Sequence, residues 1–202
     1  MDRLTALFDG GLALIVRLVQ YFGGAGCARW LWVLLAFFAH TVSAQESATE
    51  SALAIQQEID RTLWQPFKCA FEAMDGAALN ALYARRVLRV TPDGIDTKSA
   101  FKAFNETRFE QTKREGGRVA LDFWLDSRLT DAKTSYAVGF FRSGVIDESG
   151  NRNDYYGQFH IVLRKQRGGW KIVQDWDTDR IGGRKIGAKD FARGVPMVAR
   201  CR

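Results

Sequence analysis

Residues 119–127 read VALDFWLDS, and apolar side chains recur there at every second position. Successive side chains of a β-strand point to opposite faces, so Val119, Leu121, Phe123 and Leu125 would share one face of a sheet. The same period recurs twice further along the chain. The pattern predicts four consecutive strands at residues 119–127, 135–145, 155–164 and 170–176, joined by turns that contain Gly, Asn or Asp.

The chain before these strands carries a helical pattern instead. Apolar side chains recur there at every fourth position, which places them on one face of a helix that runs to about Met74. Pro66 lies inside this helix, and a proline there removes a hydrogen bond and crowds the preceding turn. We therefore expect a kink or a helix in two pieces. The stripe consists of Ile55, Ile59, Leu63, Phe67 and Phe71.

Two shorter helices and one short strand complete the predicted elements. Asp75 can cap the second helix. Residues 87–90 form a strand that ends at the turn Thr91-Pro92-Asp93-Gly94. Thr97 can then cap a third helix, which Gly116-Gly117 ends. Helices first and antiparallel strands last predict an α+β domain, with three N-terminal helices packed on one face of a curved, mostly antiparallel sheet.

The N-terminus has the pattern of an export signal. Residues 30–39 are ten consecutive apolar residues that follow Arg29, and small residues Val42-Ser43-Ala44 come after them. We interpret residues 1–44 as a signal peptide cleaved between Ala44 and Gln45, which predicts a periplasmic or secreted protein that meets the membrane only during export. The alternative is a retained membrane anchor, but spanning a bilayer needs about 20 apolar residues.

Charge separates the exported chain into a domain, residues 45–179, and a tail, residues 180–202. The tail holds seven Lys or Arg residues and one acid, Asp190, and its four glycines predict an irregular structure. Phe191 is the only aromatic residue among these charges, too few for a platform on which bases could stack. We expect a solvated basic tail and no nucleic-acid partner.

The cysteine count favours one disulfide. Cys27 is lost with the predicted leader, and Cys69 and Cys201 remain. An even pair in an oxidising compartment predicts a bridge between these two residues.

The order of the elements resembles the cone-shaped nuclear transport factor 2-like fold, which ketosteroid isomerase and SnoaL-like polyketide cyclases share. The resemblance covers about residues 52–178. Its local marks are residues 73–83, the turn at residues 90–94, and Gly169-Trp170-Lys171-Ile172-Val173 on the last strand. These marks follow the fold and carry no chemistry, so the resemblance leaves function open.

The resemblance also argues against one activity. Isomerases of this fold place a general-base Asp just before the proline of that turn and a protonated Asp on a late strand. Here the first position is Thr91, and the second falls near Phe159. A hydroxyl is not a base at neutral pH and a phenyl ring cannot donate a proton, so we expect no ketosteroid isomerisation.

Three polar residues are candidates for catalysis by other routes. His160 is the only histidine after residue 44, and Asp122 and Asp126 share a strand face on which they could line a pocket mouth. The sequence predicts no metal site, because Asp175-Trp176-Asp177-Thr178-Asp179 lacks the Gly and Glu of a calcium loop. It also has no nucleotide-binding, Cys/His metal or nucleophile-elbow motif, so no cofactor is expected.

Aromatic residues predict a hydrophobic binding site. Cone folds tend to leave a hollow between helices and sheet, and aromatic walls with a few hydroxyl groups suit a flat apolar molecule. The predicted ligand-binding residues are Phe67, Phe71, Tyr83, Phe104, Tyr136, Tyr155 and Trp170.

Three functional classes follow. The favoured one is an exported domain that binds a small hydrophobic molecule or a partner protein, with a homodimer through the sheet face as a further expectation. The second is a SnoaL-like isomerase, cyclase or dehydratase that uses a carboxylate such as Asp122. The third is an assembly module of a secretion system, which would keep the leader as a membrane anchor.

Overall fold

The computed structural model describes residues 50–201. Its first helix, α1, occupies residues 50–72. It is α-helical over residues 50–59, π-helical over Asp60–Trp64 and α-helical again over Gln65–Glu72. The Gln65 N–H donates to the Asp60 carbonyl oxygen, five residues back. Because Pro66 has no N–H of its own, the widened turn directly before it lets the helix continue. The helix is not divided into two pieces at Pro66: the irregularity is a π-helical turn, Asp60–Trp64, within one continuous helix.

Two further helices precede the long strands. Helix α2, Gly76–Ala81, begins as predicted: the Ala78 N–H donates to the Asp75 carboxylate at 2.8 Å. Helix α3, Phe101–Arg114, is capped differently from the prediction. The carboxylate of Asp96, not Thr97, accepts the N–H groups of Lys98 and Phe101, at 2.7 and 2.9 Å.

Six strands form one curved sheet in the order β2-β1-β6-β5-β4-β3. Only the β1–β6 pair is parallel. The four predicted strands are all present and longer than expected, and the strand before them starts at Tyr83 instead of the predicted residue 87. The strands are β1 Tyr83–Thr91, β2 Gly94–Asp96, β3 Arg118–Thr130, β4 Thr134–Ile146, β5 Arg152–Gln166 and β6 Gly169–Thr178.

Two of the register shifts in the pairing lie in β3 and β6 and bend the sheet there. Strand β3 has one extra residue relative to β4, between Leu125 and Ser127. Strand β6 has one extra residue relative to β5, between Ile172 and Gln174. An extra residue in one strand of a pair bends that strand and increases its twist. The sheet therefore curls around the helices, and the predicted α+β architecture is confirmed.

The concave face of the sheet, called the inner face below, packs against α1, α2 and α3. Trp64 of α1 lies at its centre, with ring centres 5.6 Å from Phe123 and 5.7 Å from Phe159. Burial of such aromatic and aliphatic side chains is the main favourable contribution to the folding of this domain. Other buried members of this core are Ile59, Leu63, Leu79, Val87, Phe109, Leu121, Ile161, Leu163, Trp170 and Ile172.

The tail is partly ordered and packs on the opposite, outer face. It forms a two-stranded hairpin, β7 Arg180–Ile181 and β8 Arg184–Lys185, and a short helix, α4 Ala188–Phe191. The expectation of an irregular tail is therefore wrong for residues 180–191. The physical reason is hydrophobic: Ile186 and Phe191 bury themselves against the stacked rings of Trp124 and Phe140.

The end of the tail runs beside β3, an edge strand. The Met197 N–H donates to the Phe123 carbonyl oxygen at 2.7 Å. Cys201 is bonded to Cys69 of α1, with the two Cα atoms 5.4 Å apart, so the predicted disulfide is confirmed. The tail thus covers part of an edge that would otherwise present unpaired backbone groups.

Candidate functional site

A cavity of about 480 Å³ lies between the helices and the inner face of the sheet. That volume lies in the range of small-molecule sites, which are mostly apolar with a few placed polar groups. Its lining consists of two sets of residues, one aromatic and one charged, which we call its aromatic and charged sides. The aromatic side consists of Trp64, Phe67, Phe71, Phe123, Phe141 and Phe159.

The charged side is organised around Arg89 of β1. Because β1 and β6 are parallel and in register here, Arg89 lies beside Asp175. The guanidinium Nη1 donates to Asp175 at 2.6 Å and Nη2 donates to Asp177 at 3.2 Å. The Tyr83 hydroxyl also donates to Asp175, at 2.9 Å. One arginine is therefore paired with two carboxylates, and a net negative charge remains on this side.

Burial and crowding shift the acid–base properties of this group. Burial raises the pKa of Asp177 to about 6, and neighbouring Asp175, Asp93 and Asp179 add to the rise against the opposing effect of Arg89. Burial also raises the pKa of Tyr155 to about 12, with Asp177 contributing. A carboxylic acid that titrates close to neutral pH can act as a general acid or base, which an ordinary Asp does poorly.

Arg108 of α3 lines the same cavity without an acidic partner. Among residues 50–201 it forms no ion pair, and its Nε atom is buried with no hydrogen-bond acceptor. Its guanidinium carbon lies 4.7 Å from the ring centre of Phe109 and 5.2 Å from that of Phe71. Burial lowers the pKa of this group, and the charge of Arg89 lowers it further. Arg108 is thus a cation held in a largely aromatic environment.

The charged side was missed from the sequence because of the irregularity in β6. Trp170 and Ile172 face the core, so strict alternation would point Asp175 and Asp177 away from it. The register shift around Val173 reverses the alternation and turns both carboxylates into the cavity. No local signal in the sequence marks this shift.

The structure brings together four of the seven predicted ligand-binding residues: Phe67, Phe71, Tyr83 and Tyr155 line the cavity. The other three do not. Phe104 is 65% exposed on α3, and Trp170 is buried in the core and does not line the cavity. Tyr136 points to the outer face, where its hydroxyl contacts Nδ1 of His160.

The three predicted catalytic candidates all lie away from the cavity. Asp122 faces outward and pairs with Arg142 at 2.6 Å. Burial would raise its pKa, but the hydrogen bond from Arg142 and the nearby cations lower it overall. Asp126 is exposed at the irregularity in β3. His160 lies on the outer face beside Trp176, and burial lowers its pKa.

Thr91 and Phe159, the positions compared with the isomerase carboxylates, both line the cavity. The turn and the late strand therefore reach the cavity, but without acids at those two positions. Within residues 50–201, no group of three or more His, Cys, Asp or Glu side chains is arranged to hold a metal ion. No helix in the same part of the chain is long and apolar enough to cross a membrane, and the predicted leader lies outside it.

No protein-family model and no curated protein matches the sequence, whereas solved structures do. A conserved protein from Planctomyces limnophilus has 18% identity and a TM-score of 0.52, over 62% of this chain and 96% of that one. A nuclear transport factor 2-like protein with a cystatin-like fold from Novosphingobium aromaticivorans has 15% identity and a TM-score of 0.50, over 75% and 93% of the two chains. One of unknown function from Shewanella oneidensis has 15% identity and a TM-score of 0.50, over 61% and 99%.

At these identities the likeness concerns the fold. The chain has the nuclear transport factor 2-like fold, as its order of elements had suggested. Because this fold hosts unrelated functions, the activity has to be argued from the cavity.

Proposed function

We propose that this domain binds a small, mostly hydrophobic molecule in the cavity between its helices and its sheet. The observation that carries the proposal is the two-sided cavity: six aromatic rings form one side and a charged network forms the other. Aromatic walls supply the burial that drives binding of an apolar body, and the polar side orients one end of it. A well-packed core without function would have few voids larger than a water molecule.

A cavity-filling variant tests the proposal. Ser143 lies on the inner face of β4, between Leu121 and Tyr155 on the adjacent strands, and lines the cavity. A phenyl ring at this position would occupy space that the ligand needs. Ser127 on β3 is exposed and provides a matched control that adds the same ring outside the cavity.

The measurement is a fluorescence titration with N-phenyl-1-naphthylamine, an uncharged probe that brightens in apolar sites. We expect one probe per chain and at least a tenfold loss of affinity in Ser143→Phe, with affinity retained in Ser127→Phe. Failure of the probe to bind, or equal binding by both variants and the wild type, would contradict the proposal.

A second candidate, proton-transfer catalysis, is favoured by Asp177. Its carboxyl group has a pKa of about 6 and lies 3.2 Å from Arg89 in a cavity lined by aromatic rings. A general base usually contributes about 10² to 10⁴ in rate, so its removal is easily measured. In the enzyme alternative, Asp177 therefore replaces Asp122, which faces outward, as the candidate catalytic carboxylate.

The assay uses a Δ5-3-ketosteroid as the model substrate. Turnover that Asp177→Asn abolishes and Asp122→Asn leaves intact would support catalysis by this cavity. An absence of turnover in the wild type would agree with the lack of acids at Thr91 and Phe159. It would also leave the binding proposal standing.

Export and assembly are separate proposals. We infer from residues 1–44 that the chain is exported and released into the periplasm or the medium, and the secretion-system module remains the anchored alternative. A homodimer would use the part of the outer face that carries Tyr136, His160 and Trp176, which are half-buried. Chromatography of the purified chain with light scattering measures the oligomeric state.

A further inference from the structure

Resting on the proposed binding function, we propose that the ligand of the cavity carries a carboxylate and that Arg108 binds it. The ligand class is then an amphipathic monocarboxylic acid: an apolar body against the aromatic side and one carboxylate against the Arg108 guanidinium.

The first support is the state of Arg108 itself. A buried nitrogen on a cationic group normally has a hydrogen-bond acceptor, because desolvation without one is unfavourable. Within residues 50–201, Arg108 has no acidic partner and its buried Nε has no acceptor. Stacking against the rings of Phe71 and Phe109 holds the guanidinium in place but satisfies none of its N–H groups.

The second support is the contrast with Arg89 in the same cavity. Arg89 already donates to Asp175 and Asp177, so its charge is balanced by the protein. Arg108 is left as the cation available to a ligand. The guanidinium presents paired N–H groups in a rigid plane, and that geometry matches the two oxygens of a carboxylate.

The acids of the cavity narrow the anion to a single charge. Asp93, Asp175, Asp177 and Asp179 all line it and would repel an incoming anion. One arginine can balance one negative charge, whereas a phosphate monoester carries close to two at neutral pH. A monocarboxylate is therefore favoured over a phosphate.

Two probes of nearly identical shape test the inference on the full chain with its disulfide intact. They are 2-naphthoate, which carries the carboxylate, and 2-naphthamide, which replaces it with a neutral amide. Calorimetric titrations at pH 7.5 and low salt measure both affinities. The variants are Arg108→Gln, Arg108→Lys and, as a matched control, Arg114→Gln at an exposed arginine of the same helix.

We expect the wild type to bind 2-naphthoate at least tenfold more tightly than 2-naphthamide. Arg108→Gln should lose this preference, Arg108→Lys should keep part of it because the charge remains, and Arg114→Gln should keep all of it. The comparison of the two probes on the wild type needs no variant to fold.

Equal affinity for the two probes in the wild type would overturn the inference and leave the binding function standing. The same holds for a preference that survives in Arg108→Gln. Failure of both probes to bind, together with failure of N-phenyl-1-naphthylamine, would contradict the binding function itself.

Discussion

Removal of the Cys69–Cys201 bridge should destabilise the domain by about 3 to 5 kcal/mol. The bridge joins α1 to the end of the tail across a sequence separation of 132 residues. In the chain-entropy model, opening a loop of that length lowers the free energy of unfolding by ~5 kcal/mol at 25 °C. The lower bound of the expected range reflects that measured bridges often contribute less than this model gives.

Urea unfolding, followed by tryptophan fluorescence, measures the effect. The samples are the oxidised chain, the chemically reduced chain and the double variant Cys69→Ser, Cys201→Ser. With a slope of about 2 kcal/mol per molar urea, the midpoint should fall by roughly 2 M in both bridge-free samples. Arg200→Ser is the control, because it changes the neighbouring tail residue and leaves the bridge intact.

The tail also has contacts that survive without the bridge. Met197 keeps its backbone hydrogen bond to Phe123, and Phe191 stays buried against the outer face. If the midpoint fell by less than about 0.5 M in both bridge-free samples, these contacts alone would hold the tail, and the entropic reasoning would be refuted.

Three further predictions concern the cavity, the tail and the leader. Asp177 has a pKa of about 6 in the folded chain, above its value of roughly 3.9 in an unfolded chain. Because the folded chain holds this proton more tightly, the free energy of unfolding of the wild type should fall as the pH rises from about 4 to about 6 and above. Asp177→Asn should remove this loss. In urea titrations, the free energy of unfolding of this variant minus that of the wild type should therefore rise by about 2 kcal/mol between pH 4 and pH 7. If this difference were the same at both pH values, the pKa of Asp177 would not be raised in the folded chain. Gly194→Ala should destabilise the domain by about 1 to 3 kcal/mol and lower its melting temperature, because a Cβ there would lie 2.1 Å from the Trp124 ring. Gly187→Ala is the control: its Cβ would meet nothing within 4 Å, so the melting temperature should change little. Expressed in a bacterium, the chain should yield a soluble periplasmic product beginning at Gln45, and N-terminal sequencing of an intact, membrane-retained chain would contradict this.

Much of the architecture was predictable from local patterns. The step of four between Ile55 and Phe71 predicted α1, because residues at that spacing share one face of a helix. The alternation in residues 119–127 predicted a strand for the same kind of reason. The bridge between Cys69 and Cys201 followed from an even count of cysteines after the predicted leader. Each of these features depends on near neighbours in the chain or on composition.

Local patterns did not predict which face of each strand points toward the helices. Tyr136 was expected in the binding site, yet its strand is apolar on both faces, and Phe140 lies outward under the tail. Alternation groups residues by face but does not say which face meets the helices. That choice depends on what packs against each side of the sheet.

The charged side of the cavity depended on tertiary structure for two reasons. The register shift near Val173 reverses the alternation in β6, and it turns Asp175 and Asp177 toward Arg89 on a strand that is about 86 residues earlier in the sequence. Arg108 lines the same cavity only because α3 packs over it. Local sequence established which elements form, because hydrogen bonding and apolar periodicity act between near neighbours. The site arose from long-range packing, which brings residues from β1, β6 and α3 to one cavity, where burial raises the pKa of Asp177 and lowers that of Arg108.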